Sequence, residues 1–321
     1  RSSASSSSTG ASTPACATSS PRCGLPVWAV NVMGLLVGWV VSLTHYPGNL
    51  CGMRIATWNI NSVRTRTQRA LNLISKHDID VLCLQETKVK DDKFPREAFE
   101  DAGLHVTCHG LNQWNGVAIV SKEEPEDVFI GFPGQPGFAK DPEKPQDREA
   151  RALGARIRGV EIWSLYVPNG REITDRHYDY KLDFLYHLAR YAENHAQSKL
   201  LMSGDFNIAP RDEDVWDIEA FRGKTHVTEP ERAAFQMLEE AGLEEVTRRF
   251  TEDQRYTYFD YKGMRFQKNE GMRIDFQLAS APLAQHVTGA QVDMVERAGD
   301  KTSDHCPLLA DYNLPDFNSV R

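Results

Sequence analysis

From residue 53 onward, short apolar runs of strand length alternate with longer segments whose apolar positions recur at a helical period. Residues 53–58 read as a strand, and residues 65–76 as a helix carrying Ala70, Leu71, Leu73 and Ile74 on one face. Residues 80–84 form a continuous apolar run of buried-strand type. Further strands are expected at 106–108, 116–120, 153–157, 162–167, 200–202, 273–278, 291–294 and 308–310. Long helices are expected at 178–194 and 230–241, the second closed by Gly242 as a C-terminal cap. About ten strands with few helices are too many for a simple doubly wound sheet, so two packed sheets with helices outside are favoured. Residues 133–145, rich in Pro and Gly, are expected to form a surface loop.

Residues 1–52 break this pattern, with Arg1 and Arg22 as their only Lys, Arg, Asp or Glu. The expected division is therefore a leader, 1–52, outside the folded domain, and one catalytic domain, 53–321. Within the leader, residues 25–43 carry no charge over a length that allows a membrane span or a signal core. Pro26, Asn31 and the absence of a compact basic flank argue instead for upstream or processed sequence. The chain of 321 residues is 40% hydrophobic and 26% charged, values of a globular protein, with a formal net charge of -8. Removing the two arginines of the leader makes that -10, so any nucleic acid must be gripped by a local basic face. None of the six cysteines pairs at zinc-type spacing, and Cys83 lies in an apolar run, which suits a reducing, cytoplasmic setting.

Polar islands interrupt the pattern at strand ends: Asn59, Glu86, Asp205 with Asn207, Asp275, and Asp304 with His305. Glu86 follows a buried-type run, where a carboxylate is either a surface charge or a metal ligand. Asn59 reads equally as a turn residue. Asp205 and Asn207 are two apart after an apolar strand, and alternation would place both on one face. A carboxylate there can take a proton from water while an amide donates to charge building on phosphate. His305 reads as a core histidine or a phosphate clamp, with Asp275 able to hold its tautomer. A Ser-His-Asp hydrolase is the rival reading, and it lacks a nucleophile elbow.

Taken together, Ala56 to Arg64, Leu84 to Lys88, Trp114 to Ala118, Leu165 to Gly170, Gly204 to Asn207, Tyr258 to Tyr261, Gly271 to Asp275 and Ser303 to His305 resemble the exonuclease III family of abasic-site endonucleases. That family belongs to the endonuclease/exonuclease/phosphatase superfamily. The resemblance implies a four-layer αββα sandwich, two packed mixed sheets flanked by helices. It implies a metal-dependent DNA repair phosphodiesterase that cleaves 5′ of abasic sites and trims 3′ ends. On the family pattern Glu86 binds Mg2+ or Mn2+ with help from Asn59 and Asp304, and Asp205 activates the attacking water. Asn207 and His305 contact the scissile phosphate, and all three of Asp205, Asn207 and His305 count on the metal side of the site as well. Asp275 orients His305, and Tyr166 supplies a phenol.

The partner implied is duplex DNA with abasic sites, nicks or 3′ ends, met by a monomer without a membrane. Candidate DNA contacts are Asn61, Lys88, Asn115, Asn169, Arg171, Tyr258 and Phe259. Tyr258 departs from the Trp that bacterial relatives often carry, and Asn169 from the Gln of some members. Basic clusters such as Arg64-Arg66-Arg69 and Lys262-Arg265-Lys268 read singly as solvated surface, and only their nearness to the islands suggests phosphate tracking. Two other readings share the same residues: a phosphatase for inositol phosphates or sphingolipid head groups, and a binding module without turnover.

Overall fold

The structure is a computed structural model and describes residues 50–315; the uncharged stretch 25–43 lies outside them. The elements in chain order are β1 (Leu50–Asn59), α1 (Val63–His77), β2 (Val81–Gln85), α2 (Arg96–Glu100), β3 (His105–His109), β4 (Val117–Ser121), β5 (Asp127–Ile130), β6 (Ala152–Ile157), β7 (Val160–Tyr166), α3 (Arg176–His195) and β8 (Leu200–Asp205). Then follow α4 (Ile218–Phe221), α5 (Glu229–Glu240), β9 (Leu243–Glu245), β10 (Asp275–Ser280), α6 (Ala281–Ala284), β11 (Val287–Val292), α7 (Met294–Arg297) and β12 (Leu308–Pro315).

The strands form two six-stranded mixed sheets, ordered β11-β12-β1-β2-β4-β3 and β5-β6-β7-β8-β10-β9. Each sheet holds one parallel pair, β1 with β2 and β7 with β8, joined by the crossover helices α1 and α3. Three apolar layers hold the four structural layers together. Met53, Ile55, Val81, Ile119, Leu153, Ile162, Leu201 and Tyr312 fill the space between the sheets. Ala70, Leu73 and Ile74 of α1 pack on Trp58, Leu82, Leu84 and Val120 of the first sheet. Phe184, Leu185 and Leu188 of α3, with Phe235 and Leu238 of α5, cover Trp163, Met202 and Phe276 of the second.

Several elements depart from the periodicity reading. β1 begins at Leu50, three residues upstream of the expected domain start, and pairs with β12 from Leu50↔Pro315 inward. The last hairpin uses Val287–Val292 in place of 291–294, because Asp293 caps the short helix α7 by accepting from Glu296 N. Arg273 and Ile274 precede β10 instead of opening it. The edge strand β5 exposes most of its side chains and so carries no alternating pattern to read. Gly242 does stand just past the C-terminus of α5 with φ of +95°, as its place in the sequence implies. No helix among the described residues is long and apolar enough to cross a membrane.

This topology gathers the polar islands. Parallel strands end at the same edge, and an antiparallel neighbour begins there. Asn59 closes β1, Glu86 follows β2, Tyr166 closes β7 and Asp205 closes β8, whereas Asp275 opens β10 opposite Asp205 and His305 leads into β12.

Candidate active site

Asn59 is fully buried and donates from Nδ2 to Glu86 Oε1 and to Asp205 Oδ2, both at 2.9 Å. One amide thus ties the acidic ends of the two sheets together. Asp205 Oδ1 accepts from Asn207 N at 2.9 Å, which turns the chain sharply after β8. Within β8, Gly204 lets the neighbouring strand approach closely, because a Cβ there would lie 2.0 Å from Leu165 O. His305 Nδ1 lies 2.9 Å from Asp275 Oδ2, and its Nε2 lies 3.8 Å from Asp205 Oδ2. Trp58 Nε1 donates to His305 O at 3.1 Å, and Ser303 Oγ donates to Asn59 O at 2.6 Å, which fixes the loop before β12.

Asn61, Glu86, Lys88 and Asn207 all have positive φ, between 46° and 53°. The left-handed region is unfavourable for residues with a Cβ, and its recurrence here marks a backbone held by its surroundings to aim side chains. Ser62 N and Val63 N donate to Glu86 O and Thr87 O, locking the turns after β1 and β2 against each other.

The charges in this cup are mutually adjusted. Burial pushes the Asp205 carboxyl up, His305 opposes that and Asp275 adds to it, leaving it raised to about 7. Burial alone would lower His305, but the facing Asp275 and Asp205 carboxylates raise it to about 10, so the ring is a cation with two N–H donors. Burial also works against ionised Glu86, yet Lys88 and Asn59 hold its carboxyl below the ordinary value. The Tyr166 phenol is pushed far upward by burial and by Glu86, so it stays protonated.

Glu86, Asp205 and His305 cluster with ligand-type atoms within 4.8 Å of one another, and of these the two carboxylates can hold a cation while the charged imidazole cannot. A buried carboxylate kept at about 7 beside two more acids is a surplus of negative charge that a divalent cation would relieve. The oxygen-rich donor set suits a hard cation. Lys88 already shows the demand for positive charge, with Nζ 2.7 Å from Glu86 Oε2 and 2.6 Å from Asn61 Oδ1. Asp304 joins through that bridge, its Oδ1 accepting from Asn61 Nδ2 at 2.9 Å. It thus faces the cup by way of Asn61 and is not one of the three clustered groups.

The remaining sequence candidates separate into rim and interior. Asn169 Nδ2 donates to Asn207 Oδ1 at 3.0 Å, and Asn169 Oδ1 accepts from Arg171 N, so this loop is part of the site wall. Arg171 is exposed and pairs with Asp175 at 3.5 Å. The Tyr258 ring meets His305 edge to face at 4.9 Å and lines a recess with Trp216, Phe221 and Met272. Asn115 is buried beside Lys88, which donates its N–H to Asn115 O, and both atoms of its amide lack partners. Phe259 is a correction: it is fully buried among Val292, Cys306 and Leu308 and rests edge-on against Phe266, so it is core and cannot reach DNA. Of the basic cluster on α1, Arg66 is bound to the carbonyls of Ile60 and Thr302 and Arg69 to Glu296, which makes both of them props of the loop before His305.

Sequence reading missed a layer behind the amides. Lys181 of α3 and Glu231 of α5 form an ion pair with no solvent exposure, and Lys181 Nζ donates to Asn207 O at 2.6 Å. His226 Nε2 lies 3.3 Å from Asn207 Oδ1. Burial and Lys181 push the His226 imidazole down to about 4. The one available signal was Thr228-x-x-Glu231, a capping-box pattern whose glutamate has a second task.

The family model described as Endonuclease/Exonuclease/phosphatase family matches residues 56–305. The chain is 34% identical over 272 residues to an exodeoxyribonuclease III of Haemophilus influenzae, covering 81% of this chain and all of that one. Among solved structures it is similar to a 3′ phosphatase, NExo, from Neisseria bound to a product DNA hairpin, with a TM-score of 0.75 and 36% identity, covering 81% of this chain and 99% of that chain. An AP endonuclease from Archaeoglobus fulgidus aligns with a TM-score of 0.74 and 34% identity over 82% of this chain and 100% of that chain. The chain belongs to the endonuclease/exonuclease/phosphatase family, in its exonuclease III branch.

Proposed function

We infer that the protein is a metal-dependent DNA repair phosphodiesterase that cleaves 5′ of abasic sites and removes nucleotides or blocking groups from 3′ ends of duplex DNA. The observation that carries this reading is the buried arrangement of Asp205, Asn207 and the Asp275–His305 pair beside Glu86 at one sheet edge. Glu86 would hold Mg2+ or Mn2+ together with Asp205, supported by Asn59 and by Asp304 through Asn61. When bound, such an ion supplies Lewis-acid stabilisation of charge on the phosphate oxygens.

The chain's own groups do the rest. Asp205 takes the proton of the attacking water, a task for which a base titrating near neutral pH is suited. The His305 cation donates to the scissile phosphate, and Asp275 fixes its orientation and keeps it charged. Asn207 donates from its amide, and Tyr166 from a phenol that burial keeps protonated. Lys88, Asn61, Asn169 and Arg171 line the rim and meet flanking phosphates, and the Tyr258 recess receives the sugar that has lost its base. The protein acts as a monomer on duplex DNA in the cytoplasm.

The test is nicking of a duplex with one abasic site, alongside nicked and blunt duplexes, with Mg2+ and with chelator. Cleavage 5′ of the lesion is expected with Mg2+ and is abolished by chelation or by Asp205→Asn. Nicking that survives both would overturn the reading. Hydrolysis of inositol phosphates without nicking would move the protein to the phosphatases of the family.

A further inference from the structure

We propose that Arg66 is a positioning residue for the metal edge of the site, clamping together the two loops that carry Asn61 and Asp304; the inference rests on the functional reading above. Its guanidinium lies between those loops. Nη1 donates to Ile60 O at 3.1 Å and to Asn61 O, Nε to Lys301 O at 3.0 Å, and Nη2 to Thr302 O at 2.8 Å. Nη2 also donates to the Tyr261 hydroxyl at 3.3 Å, and that hydroxyl donates to Thr302 O at 2.8 Å. Each of these partners is a neutral oxygen, and all but the phenol are backbone carbonyls. A planar fork of five N–H donors serves both loops at once, which the point charge of a lysine cannot do.

What the clamp holds is strained backbone that belongs to the cup. Asn61 and Ser62 have φ of +46° and +89°, and Lys301 has φ of +53°, the region that favours glycine. Capture of the neighbouring carbonyls fixes these conformations. Between the loops, Asn61 Nδ2 donates to Asp304 Oδ1 at 2.9 Å, and Asn61 N donates to Asn59 Oδ1 at 3.1 Å. Asn59 in turn bonds both Glu86 and Asp205. A shift of the first loop is therefore felt by both carboxylates that would hold the cation. The place of Arg66 is itself unfavourable, since it is the fourth residue of α1, where the helix dipole opposes a cation. The helix also gives up its regular geometry there, with φ of -130° and ψ of 15°. The carbonyl partners offset both penalties, and they leave the guanidinium few donors for a DNA phosphate.

The test uses Arg66→Lys, which keeps the charge and loses the fork, and Arg66→Ala, each in the full chain. Free Mn2+ followed by electron paramagnetic resonance gives the Kd of the ion without turnover. Both variants are expected to raise that Kd about 10-fold, the lower end of the range for outer-shell partners, because Arg66 acts through Asn61 and Asn59. The Mg2+ concentration for half-maximal nicking rises in step. Affinity for abasic duplex, measured with chelator, keeps the wild-type dependence on log salt in both variants. A phosphate-binding arginine would behave in the opposite way: Arg66→Ala would flatten the salt slope by about 0.9, Arg66→Lys would retain it, and the Mn2+ Kd would not move. That result would overturn the proposal. A lowered melting temperature with the Mn2+ Kd of the folded variants unchanged would overturn it too, because it would leave Arg66 a support of the fold alone. Failure of the wild-type protein to nick abasic DNA would instead defeat the functional reading, and the Mn2+ comparison alone would then decide the role of Arg66. A wild type that binds no Mn2+ would defeat both.

Discussion

His305 Nδ1 and Asp275 Oδ2 are 2.9 Å apart at the open ends of two different strands, and the far nitrogen of the same ring faces Asp205. The pair does more than fix a tautomer. Asp275 is the largest of the influences that keep the ring charged against burial, ahead of Asp205 and Asp304. Asp275→Asn should therefore lower kcat about 100-fold or more while leaving the fold intact, since the amide is nearly isosteric. Nicking kinetics and a melting curve on the same preparation check this. A variant with near wild-type kcat would show that His305 does not need Asp275 for its role.

Glu86 carries a different burden. Its carboxylate accepts from Asn59 on one oxygen and from Lys88 on the other, and a neutral Gln of the same shape keeps one acceptor oxygen while removing the charge. Glu86→Gln is expected to raise the Mg2+ concentration for half-maximal nicking by about 10- to 100-fold. The effect should be larger than that of Asp304→Asn, because Asp304 is not among the three clustered groups and bonds Asn61 on the way to the cup. A metal titration of activity that ranks the two variants the other way would remove Glu86 as the principal ligand.

Much of this site was legible because each island directly follows or precedes an apolar run, and parallel strands in register deliver their C-terminal ends to one edge. The two-sheet sandwich followed from strand number alone. What escaped reading depends on contacts distant in sequence. Lys181 sits in an amphipathic helix where a lysine ordinarily points to water, and its burial rests on the carboxylate of Glu231, fifty residues on, and on the carbonyl of Asn207. His226 has no periodic context at all. Phe259 stood in an aromatic-rich loop that looked like a stacking surface, but Phe266 and the start of β12 close over it. Backbone signs at Glu86, Lys88 and Asn207 are equally invisible in sequence, because none of them is glycine.

The Lys181–Glu231 pair predicts an asymmetric response to mutation. Lys181→Met leaves a carboxylate without its cation in a region closed to water, a change that costs about 3–5 kcal/mol. Adding Glu231→Gln removes the stranded charge and keeps the cap on α5, since the amide still accepts from Thr228 N. Urea unfolding of the single and double variants is expected to show the double recovering more than half of the loss. A double variant as unstable as Lys181→Met would mean that packing of the lysine stem, and not charge, is what the pair contributes.

Acid should weaken the fold through His177, the second residue of α3. Its Nδ1 accepts from Gly170 N at 3.1 Å, and its ring packs edge-on against Phe138 at 5.0 Å and Tyr180 at 5.6 Å. Burial, then the nearby Arg151 and Arg171, depress its pKa to about 3, against about 6.5 for a free imidazole. Between those values the unfolded chain binds a proton that the native protein refuses. Stability from this residue is therefore complete above about pH 6.5 and is lost progressively as pH falls towards 3. The loss between pH 7 and pH 5 should be on the order of 1 kcal/mol. His177→Gln removes the titration, so the stability gap between wild type and variant is expected to narrow as pH is lowered from 7 to 5. Denaturant unfolding at pH 7, 6 and 5 measures that gap directly. Parallel curves for the two proteins would show that His177 is protonated as readily in the fold as outside it, and that the Gly170 contact does not require a neutral ring.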